Sequence, residues 1–139
     1  MQITAVPVGH VVHVLPQVVP HLHRLAPRTN GRSSVDDILQ GILSGTSVLW
    51  LAFEETEDNH IYGVTITTVQ KYPRCAMLNI WYTAGHKLRL WQDQMMEVLT
   101  RYAKDIQCAK IELTGRKGWE KALKAWNVKE AYRTYEIDL

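Results

Sequence analysis

Residues 78–91, LNIWYTAGHKLRLW, change from one hydrophobic periodicity to another at Gly85. The apolar run over 75–82 is typical of a β-strand covered by other elements. After Gly85, apolar residues recur at steps of three and four, which predicts one long helix with an apolar stripe. The members of that stripe are Leu88, Trp91, Met95, Val98, Leu99, Tyr102 and Ile106. We therefore expect a strand that leads into a helix through a short basic turn.

The chain before this junction predicts two further strands and a helix. The apolar run 48–53 and the β-branched run 60–70 flank an acidic loop, so with 75–82 they predict an antiparallel meander. Ser34 is a suitable N-cap for a helix that ends at Gly45. Ile3 to Val8 predicts a first strand.

The segment 11–25 is apolar but contains Pro16 and Pro20. Because proline removes a helix hydrogen bond and clashes with the preceding turn, this segment predicts one or two short helices rather than a long one.

Downstream of the long helix, alternation over 109–114 predicts a half-buried strand, and 131–139 predicts a final one. Between them lies Gly115-Arg-Lys-Gly118, followed by a helix with apolar residues at Trp119, Ala122, Leu123 and Trp126. The order β-α-α-β-β-β-α-β-α-β predicts an α+β (mixed α/β) fold. Its antiparallel meander continues into a β-α-β unit with parallel strands, in a central mixed sheet flanked by helices.

Composition predicts one soluble domain over residues 1–139. A net charge of +2 gives no case for nucleic acid or membrane partners, and the longest apolar runs are too short to span a bilayer. The two cysteines, Cys75 and Cys108, are far apart in the sequence and predict partly buried thiols in a reduced, cytoplasmic setting.

Four segments carry a resemblance to a known family. They are VLWLAF (48–53), GVTITTVQKYPR (63–74), LNIWYTAG (78–85) and IELTGRKGWEKALK (111–124). With the element order, they resemble the GNAT superfamily of N-acetyltransferases over roughly 34–139. More narrowly, they are similar to short phage-encoded GNAT-like proteins in which Gly-Arg-x-Gly-Trp opens the last helix.

The resemblance implies acetyl-CoA as cofactor, held where the fourth and fifth strands separate. Its pantetheine would lie on Ile80, Trp81 and Tyr82. Its pyrophosphate would lie on the turn that follows, at Ala84, Gly85, His86, Lys87, Leu88 and Arg89. Arg116 would reach the phosphates from the side. Free N–H groups and the helix dipole favour an anion in such a place.

The chain departs from the family's pattern in two ways. The family's phosphate loop usually carries several glycines, whereas Thr83-Ala-Gly-His-Lys-Leu-Arg89 has one. The tyrosine that often protonates the leaving thiolate is replaced by Leu123, and 74–82 contains no carboxylate. No catalytic residue can therefore be assigned from the sequence. General acid or base catalysis is worth roughly 10²–10⁴-fold, so its absence would slow acyl transfer without forbidding it.

Several motifs have two readings. GRKGW either binds an anion through Arg116 and Lys117 or serves only as a turn anchored by Trp119, and the second reading is favoured. His10-x-x-His13 and His21-x-His23 lack further ligands, so no metal site is predicted. The five tryptophans fall on apolar phases and indicate core or oligomer contacts, whereas Tyr72 and Tyr82 are better candidates to face a ligand.

Two functions follow as hypotheses. One is an acetyl-CoA-dependent N-acyltransferase, with an amine acceptor bound over the helix 34–45 and the turn 71–74. The other is a catalytically silent phage protein that acts as a virion structural or host-interaction component through protein partners. Oligomeric state stays open, and so does localisation between the cytoplasm of a bacterial host and a virion.

Overall fold

Five strands form one mixed sheet in the order β1-β2-β3-β4-β5. The structure is a computed structural model that describes residues 1–139. The strands are β1 (Gln2–Val6), β2 (Ser47–Glu54), β3 (His60–Lys71), β4 (Ala76–Gly85) and β5 (Lys110–Leu113). Neighbours from β1 to β4 are antiparallel, and β5 is parallel to β4. The predicted meander and its continuation into a strand–helix–strand unit are confirmed.

Helices cover both faces of the sheet. The α-helices are α1 (Val11–Leu25), α2 (Val35–Leu43), α3 (Gln92–Asp105) and the short α4 (Gly118–Ala122). One hydrophobic cluster joins α1 and α2 to one face, and a second joins α3 to the other. The predicted α+β class is confirmed. No helix is both long enough and apolar enough to cross a membrane.

Strand β2 is buried on both faces, as its continuous apolar run predicts. Leu49 and Leu51 belong to the cluster under α1 and α2, and Trp50 and Ala52 belong to the cluster under α3. The indole N–H of Trp50 donates to Thr67 Oγ1 at 2.9 Å, so its one polar atom is satisfied inside the core. This strand therefore contributes side chains to the hydrophobic clusters on both faces of the sheet.

The start and end of α2 follow the sequence prediction. Ser34 Oγ accepts from the backbone N–H of Asp37, and the Asp37 carboxylate accepts from the backbone N–H of Ser34, a complete capping box. Gly45, just beyond the helix, has φ +79°, which favours glycine. These local signals fix where the helix begins and ends, and the buried Ile38 and Ile42 hold it against the sheet.

The prediction of short helices over 11–25 is wrong, because α1 is one helix of 15 residues with both prolines inside it. The missing N–H groups of Pro16 and Pro20 would have bonded to the carbonyls of Val12 and Pro16. Val12, Pro16 and Pro20 are all exposed, so water can solvate those carbonyls. The opposite side of the helix buries Val11, Val18, Leu22 and Leu25, and that burial outweighs the two lost bonds.

The boundaries around the β4–α3 junction also differ from the prediction. Strand β4 continues to Gly85, so Thr83, Ala84 and Gly85 belong to the strand rather than to the turn. The predicted helix begins as a 3₁₀ turn over Leu88–Leu90 and becomes α-helical only at Gln92. Its last predicted stripe residue, Ile106, lies beyond the helix and is 38% exposed.

The prediction of a final strand over 131–139 is wrong in this structure. These residues have no secondary structure, and all nine are exposed. Alternation alone cannot make a strand, because a strand needs a neighbour for its backbone groups. The helix predicted after GRKG is also shorter than expected: α4 ends at Ala122, and Lys124–Trp126 form a 3₁₀ turn.

Strands β3 and β4 are brought together at a pair of glycines, Gly63 and Gly85, which are direct partners in the ladder. A Cβ on Gly63 would lie 2.3 Å from Cζ2 of Trp91, and one on Gly85 would lie 2.4 Å from the carbonyl oxygen of Tyr62. Gly85 also has φ +153°. The Trp91 indole, 1% exposed, therefore occupies the space that a side chain on Gly63 would take, whereas the backbone of β3 occupies the space of a side chain on Gly85.

We predict that Gly63→Ala destabilises the protein by about 1–3 kcal/mol, the usual cost of overpacking a core. The added methyl would overlap the buried indole of Trp91, which has no room to move. The matched control is Gly9→Ala, where a Cβ meets nothing within 4 Å. Urea unfolding of both variants measures the difference, and equal midpoints would contradict the packing described for Trp91.

Candidate functional site

Strands β4 and β5 pair over only four residues and then separate. Their register runs from Met77 opposite Lys110 to Ile80 opposite Leu113. The rest of β4, from Trp81 to Gly85, has no partner in β5, and Tyr82 to Gly85 pair with β3 alone. One edge of this segment is therefore free on the side where β5 has ended, and its backbone groups can accept an extended ligand there.

The free segment begins with a β-bulge at Trp81. Thr67 is opposite Ile80 and Ile66 is opposite Tyr82, so Trp81 has no partner in β3. The rings of Trp81 and Tyr82 stack with centroids 4.6 Å apart, and the Tyr82 hydroxyl donates to Ser33 Oγ at 3.0 Å. Bulges are common beside active sites because they change the direction of side chains. Here the bulge lies where the two strands begin to separate.

The turn after β4 presents backbone N–H groups that have no acceptor. Lys87 adopts the left-handed conformation, with φ +52°. His86 uses both of its backbone groups, donating to the Tyr62 carbonyl and accepting from Trp91 Nε1. The N–H groups of Lys87, Leu88 and Arg89 make no backbone hydrogen bond. Three consecutive free donors before a helix are the elements of an anion site.

The cationic side chains of the same turn point in different directions. His86 Nε2 lies 3.0 Å from His60 Nε2, and the Lys87 ammonium is 5.9 Å from the centre of the Tyr62 ring. Both side chains therefore lie toward the start of β3. Arg89 is exposed and makes no ion pair. Of the cations predicted for this turn, Lys87 and Arg89 are both exposed and without an ion pair.

His21 extends the histidine pair into the interior. It lies on α1, is 8% exposed, and its Nδ1 has no hydrogen-bond partner. Burial lowers the pKa of His21, and Arg24, His86 and His60 lower it further. Desolvation likewise lowers the pKa of His86, with added effects from His60 and Lys87. The cluster is therefore most stable when these imidazoles are neutral.

The GRKGW stretch is a turn anchored by its tryptophan. A Cβ on Gly115 would lie 2.4 Å from Cδ1 of Trp119, so the indole packs directly on this glycine. Trp126 Nε1 then donates to Asp93 Oδ1 at 3.3 Å, and Gln92 Nε2 donates to the Ala122 carbonyl. These bonds hold the α4 segment against the first turn of α3. The stretch ends β5 and turns the chain away from β4, with Arg116 and Lys117 exposed.

Sequence reasoning missed one carboxylate beside the strands. Glu112 on β5 is opposite Asn79 on β4, and the single O–H of Tyr72 donates to its carboxylate, with the hydroxyl oxygen 2.8 Å from Oε1 and 3.0 Å from Oε2. This bonding raises the pKa of Tyr72 to about 12. Residues 74–82, where the family resemblance would place a carboxylate, contain none. The alternation of 109–114, which places Glu112 on the opposite face from Ile111 and Leu113, is the signal that could have found it.

The C-terminal residues pass the two elements predicted to line the acceptor site. Glu136 lies 3.5 Å from Arg32, just before α2. Tyr132 contributes to the raised pKa of Tyr72, in the turn between β3 and β4, after the larger effect of Glu112. Leu123, at the position of the family's tyrosine, is buried in the core. Its side chain offers no acidic group to a leaving thiolate.

The histidine cluster predicts a pH dependence of stability. His21 and His86 have a folded-state pKa below their ordinary value of 6.5, so folding favours the neutral forms. Stability is therefore complete above pH 6.5 and is lost as the pH falls below it. We expect a lower melting temperature at pH 5 than at pH 7.5. Asp37, whose pKa is lowered from 3.8, adds its own loss only at more acidic pH.

The pair His21→Gln and His23→Gln separates this effect from general acid sensitivity. Both residues lie on α1, but His23 is exposed. The His21 variant should lose less stability between pH 7.5 and 5 than the wild type, and the His23 variant should behave like the wild type. Thermal melts across this range provide the measurement. Identical pH slopes for all three proteins would contradict the role given to His21.

Comparisons with known proteins agree on the architecture. No family model matches the chain, and no curated protein matches its sequence. Among solved structures, a probable acetyltransferase superimposes with a TM-score of 0.74 at 13% identity, covering 100% of this chain and 98% of that one. A Trypanosoma brucei acetyltransferase gives 0.70 at 14% identity, with 99% of each chain covered.

A third similar structure contains the cofactor that the resemblance implies. It is a predicted acetyltransferase from Clostridium acetobutylicum, described with acetyl-CoA, with a TM-score of 0.70 at 13% identity. It matches 99% of this chain and 95% of its own length. At such identities the likeness establishes the fold and not the activity. The chain has the fold of the GNAT-type acetyltransferases.

Proposed function

We propose that this protein transfers an acyl group from acetyl-CoA to an amine acceptor. The observation that carries the proposal is the free edge of β4 from Trp81 to Gly85, which leads directly to the unbonded N–H groups of Lys87, Leu88 and Arg89. An extended amide-containing chain that ends in phosphates suits this sequence of backbone donors and acceptors. The pantetheine and pyrophosphate of coenzyme A have that order.

The pantetheine is proposed to pair with the backbone of β4 from Ile80 to Tyr82. The bulge at Trp81 changes the direction of the strand where β5 ends, and the stacked rings of Trp81 and Tyr82 form an aromatic wall beside it. Main-chain pairing of this kind fixes the position of the thioester along the strand. Holding the reacting groups in place can by itself supply much of the rate acceleration.

The pyrophosphate is proposed to lie on the amides of Lys87, Leu88 and Arg89. Arg89 adds charge from the same turn, and Arg116 adds it from the turn that follows β5. Asp93 lies in the first turn of α3 and is bonded to Trp126. Its negative charge disfavours an anion on the α3 amides themselves, so the amides of the turn are the better donors. Lys87 has the left-handed backbone conformation that glycine usually adopts, and this conformation sets the direction of the N–H groups in the turn.

The acceptor is proposed to enter between α2 and the turn at 71–74. Glu112 is the carboxylate on this side, bonded to Tyr72 and beside Asn79. We assign it the role of general base for the incoming amine. With Leu123 at the position of the acid, the departing thiolate would take its proton from water. Such a mechanism is slower than one with both groups, by roughly 10²–10⁴-fold.

A second candidate is a catalytically silent phage protein that binds protein partners in a virion or host. Two observations favour it: the buried Leu123 in place of an acid, and the exposed aromatic and aliphatic side chains near the C-terminus. The acyltransferase corresponds to a cytoplasmic location, and the silent protein corresponds to a virion-associated one. Acetyl-CoA binding decides between the two proposals, because the silent protein has no use for the cofactor.

We predict that the purified protein binds acetyl-CoA and that Lys87→Ala/Arg89→Ala/Arg116→Ala weakens binding by at least about tenfold, the value of one charge-assisted hydrogen bond. The control Arg28→Ala/Arg101→Ala/Lys104→Ala removes three exposed cations elsewhere and should bind like the wild type. Calorimetric titration gives both affinities.

Acetyl-pantetheine, which lacks the pyrophosphate and adenosine, sharpens this test. Its weaker binding should be unchanged in the triple variant, since only the phosphate contacts are removed. If acetyl-CoA at millimolar concentration gives neither heat nor a thermal shift with the wild type, the acyltransferase proposal fails. If both triple variants weaken binding equally, the site is misplaced.

We also predict that Glu112→Gln lowers the rate of acetyl transfer by about 10²–10⁴-fold while leaving acetyl-CoA affinity unchanged, as expected on removal of a general base. Free coenzyme A is quantified by chromatography with a mixture of primary amines and short peptides as acceptors. Glu130→Gln, an exposed carboxylate paired with Arg133, is the matched control. A normal rate in the Glu112 variant would contradict the assignment.

A further inference from the structure

The two cysteines of the chain lie at matching positions of the parallel β4–β5 pair. The register joins each residue of β4 to the residue of β5 that lies 33 positions later, as Met77 with Lys110 and Ile80 with Leu113. Cys108 also lies 33 positions after Cys75. Continued back by two residues, the same register therefore sets the two cysteines side by side, just before the paired strands begin.

Backbone hydrogen bonds hold both cysteines in this place. The N–H of Ala109 donates to the carbonyl of Ala76 at 2.8 Å, which carries the contact between the two segments beyond the ladder. The carbonyl of Cys75 accepts from the N–H of Tyr72 at 2.8 Å, and the N–H of Cys108 donates to the end of α3 at 2.8 Å. The two cysteines are therefore fixed from either side at the point where the segments meet.

This arrangement meets the requirements of a disulfide. Adjacent strands lie about 4.7–4.9 Å apart, and the Cα atoms of bonded cysteines are usually about 4.4–6.8 Å apart. Residues side by side in a pleated pair also project from the same face of the sheet. Both thiols are free and half-buried, so a small reagent can reach them. We propose that Cys75 and Cys108 are a redox-sensitive pair that forms a reversible disulfide across the start of β4 and β5.

The oxidant for this reaction is a low-molecular-weight disulfide of the glutathione class. The thiolate of one cysteine attacks a sulfur of the oxidant, which forms a mixed disulfide and releases one small thiol. The thiolate of the other cysteine then attacks the protein sulfur of that mixed disulfide, which forms the Cys75–Cys108 bond and releases the second small thiol. The two protein thiols lose two protons and two electrons, and the oxidant takes them up as two thiols. An excess of small thiol reverses both steps.

The cysteine pair lies at the opposite end of β4 from the candidate cofactor site. Cys75 follows the turn at 71–74, whereas the free edge of β4 begins at Trp81. A bond between the cysteines ties this turn to the start of β5 and leaves the free edge open. It also closes the segment that contains β4 and α3 into a loop, which restricts the unfolded chain and stabilises the fold. The bond forms whether or not the protein transfers an acyl group, so its tests are decided independently of acetyl-CoA binding.

Peptide mapping tests the pair in the folded protein. The wild type is incubated with oxidised glutathione, its remaining thiols are blocked with N-ethylmaleimide, and it is digested with trypsin without reduction. We expect the tryptic peptide 75–87 to be linked to the peptide 105–110, in protein that runs as a monomer on a non-reducing gel. Dithiothreitol should remove the link. Glutathione on both cysteines without a link, or a link between two chains only, would overturn the proposal.

Two controls show whether the fold brings the thiols together. Cys75→Ser and Cys108→Ser each keep one thiol, so both variants should stop at the mixed disulfide with glutathione. In concentrated urea, the wild type should give much less of the linked peptide and more mixed disulfide than it gives when folded. Equal yields of the link in urea and in buffer would contradict the adjacency of the two cysteines.

Thermal melts provide an independent measurement. The oxidised wild type should melt about 5–10 °C above the reduced protein, as expected for a loop of this length in a domain of this size. The two serine variants, treated in the same way, should show no such rise. A linked protein whose melting temperature is unchanged or lower would show that the fold must be distorted to form the bond, which refutes the proposed adjacency.

Discussion

The structure depends on one contact: the indole of Trp91 lying over the facing glycines Gly63 and Gly85. The indole ring fills the space above this pair, and its N–H donates to the carbonyl of His86. One side chain therefore fixes the spacing of β3 and β4, the path of the turn after β4, and the start of α3. Because the ring is buried, its position cannot adjust to a larger residue beneath it.

The same device occurs at the next strand-to-helix turn, where Trp119 packs on Gly115. The first contact lies at the end of β4, at Gly85, and the second lies just beyond the end of β5, at Leu113. The opening between the two strands results from this difference in length. Hydrogen bonds from Gln92 to the Ala122 carbonyl and from Trp126 to Asp93 then hold the start of α3 against the end of α4 and the turn that follows it. Each of the two strands that border the candidate cleft is therefore followed by a tryptophan that packs against a glycine at or near the end of the strand.

The sequence predicts the helices and strands whose signals lie in neighbouring residues. It does not predict features that depend on contacts with residues distant in the sequence. The capping box of α2, the double burial of β2 and the parallel β4–β5 pair follow from periodicity and caps. The continuity of α1 does not, because solvent on one side of the helix, not sequence, makes Pro16 and Pro20 tolerable. At the candidate site, the turn at 84–89 was predicted from the family resemblance, which could not show that the side chain of His86 lies against His60. Glu112 was missed because its position beside Asn79 and Tyr72 depends on the pairing of β5 with β4.

The turn at 86–89 carries several basic side chains, but the proposed phosphate site rests on its unbonded backbone N–H groups. A loop rich in glycine serves phosphate by allowing conformations that direct several N–H groups outward. Here a single left-handed residue, Lys87, produces three free donors in a row. Left-handed geometry costs a non-glycine residue energy, roughly 1–2 kcal/mol, which the fixed ends of the turn at Gly85 and Trp91 must offset. The absence of the family's glycines therefore removes the sequence signature of the site without removing its hydrogen-bond donors.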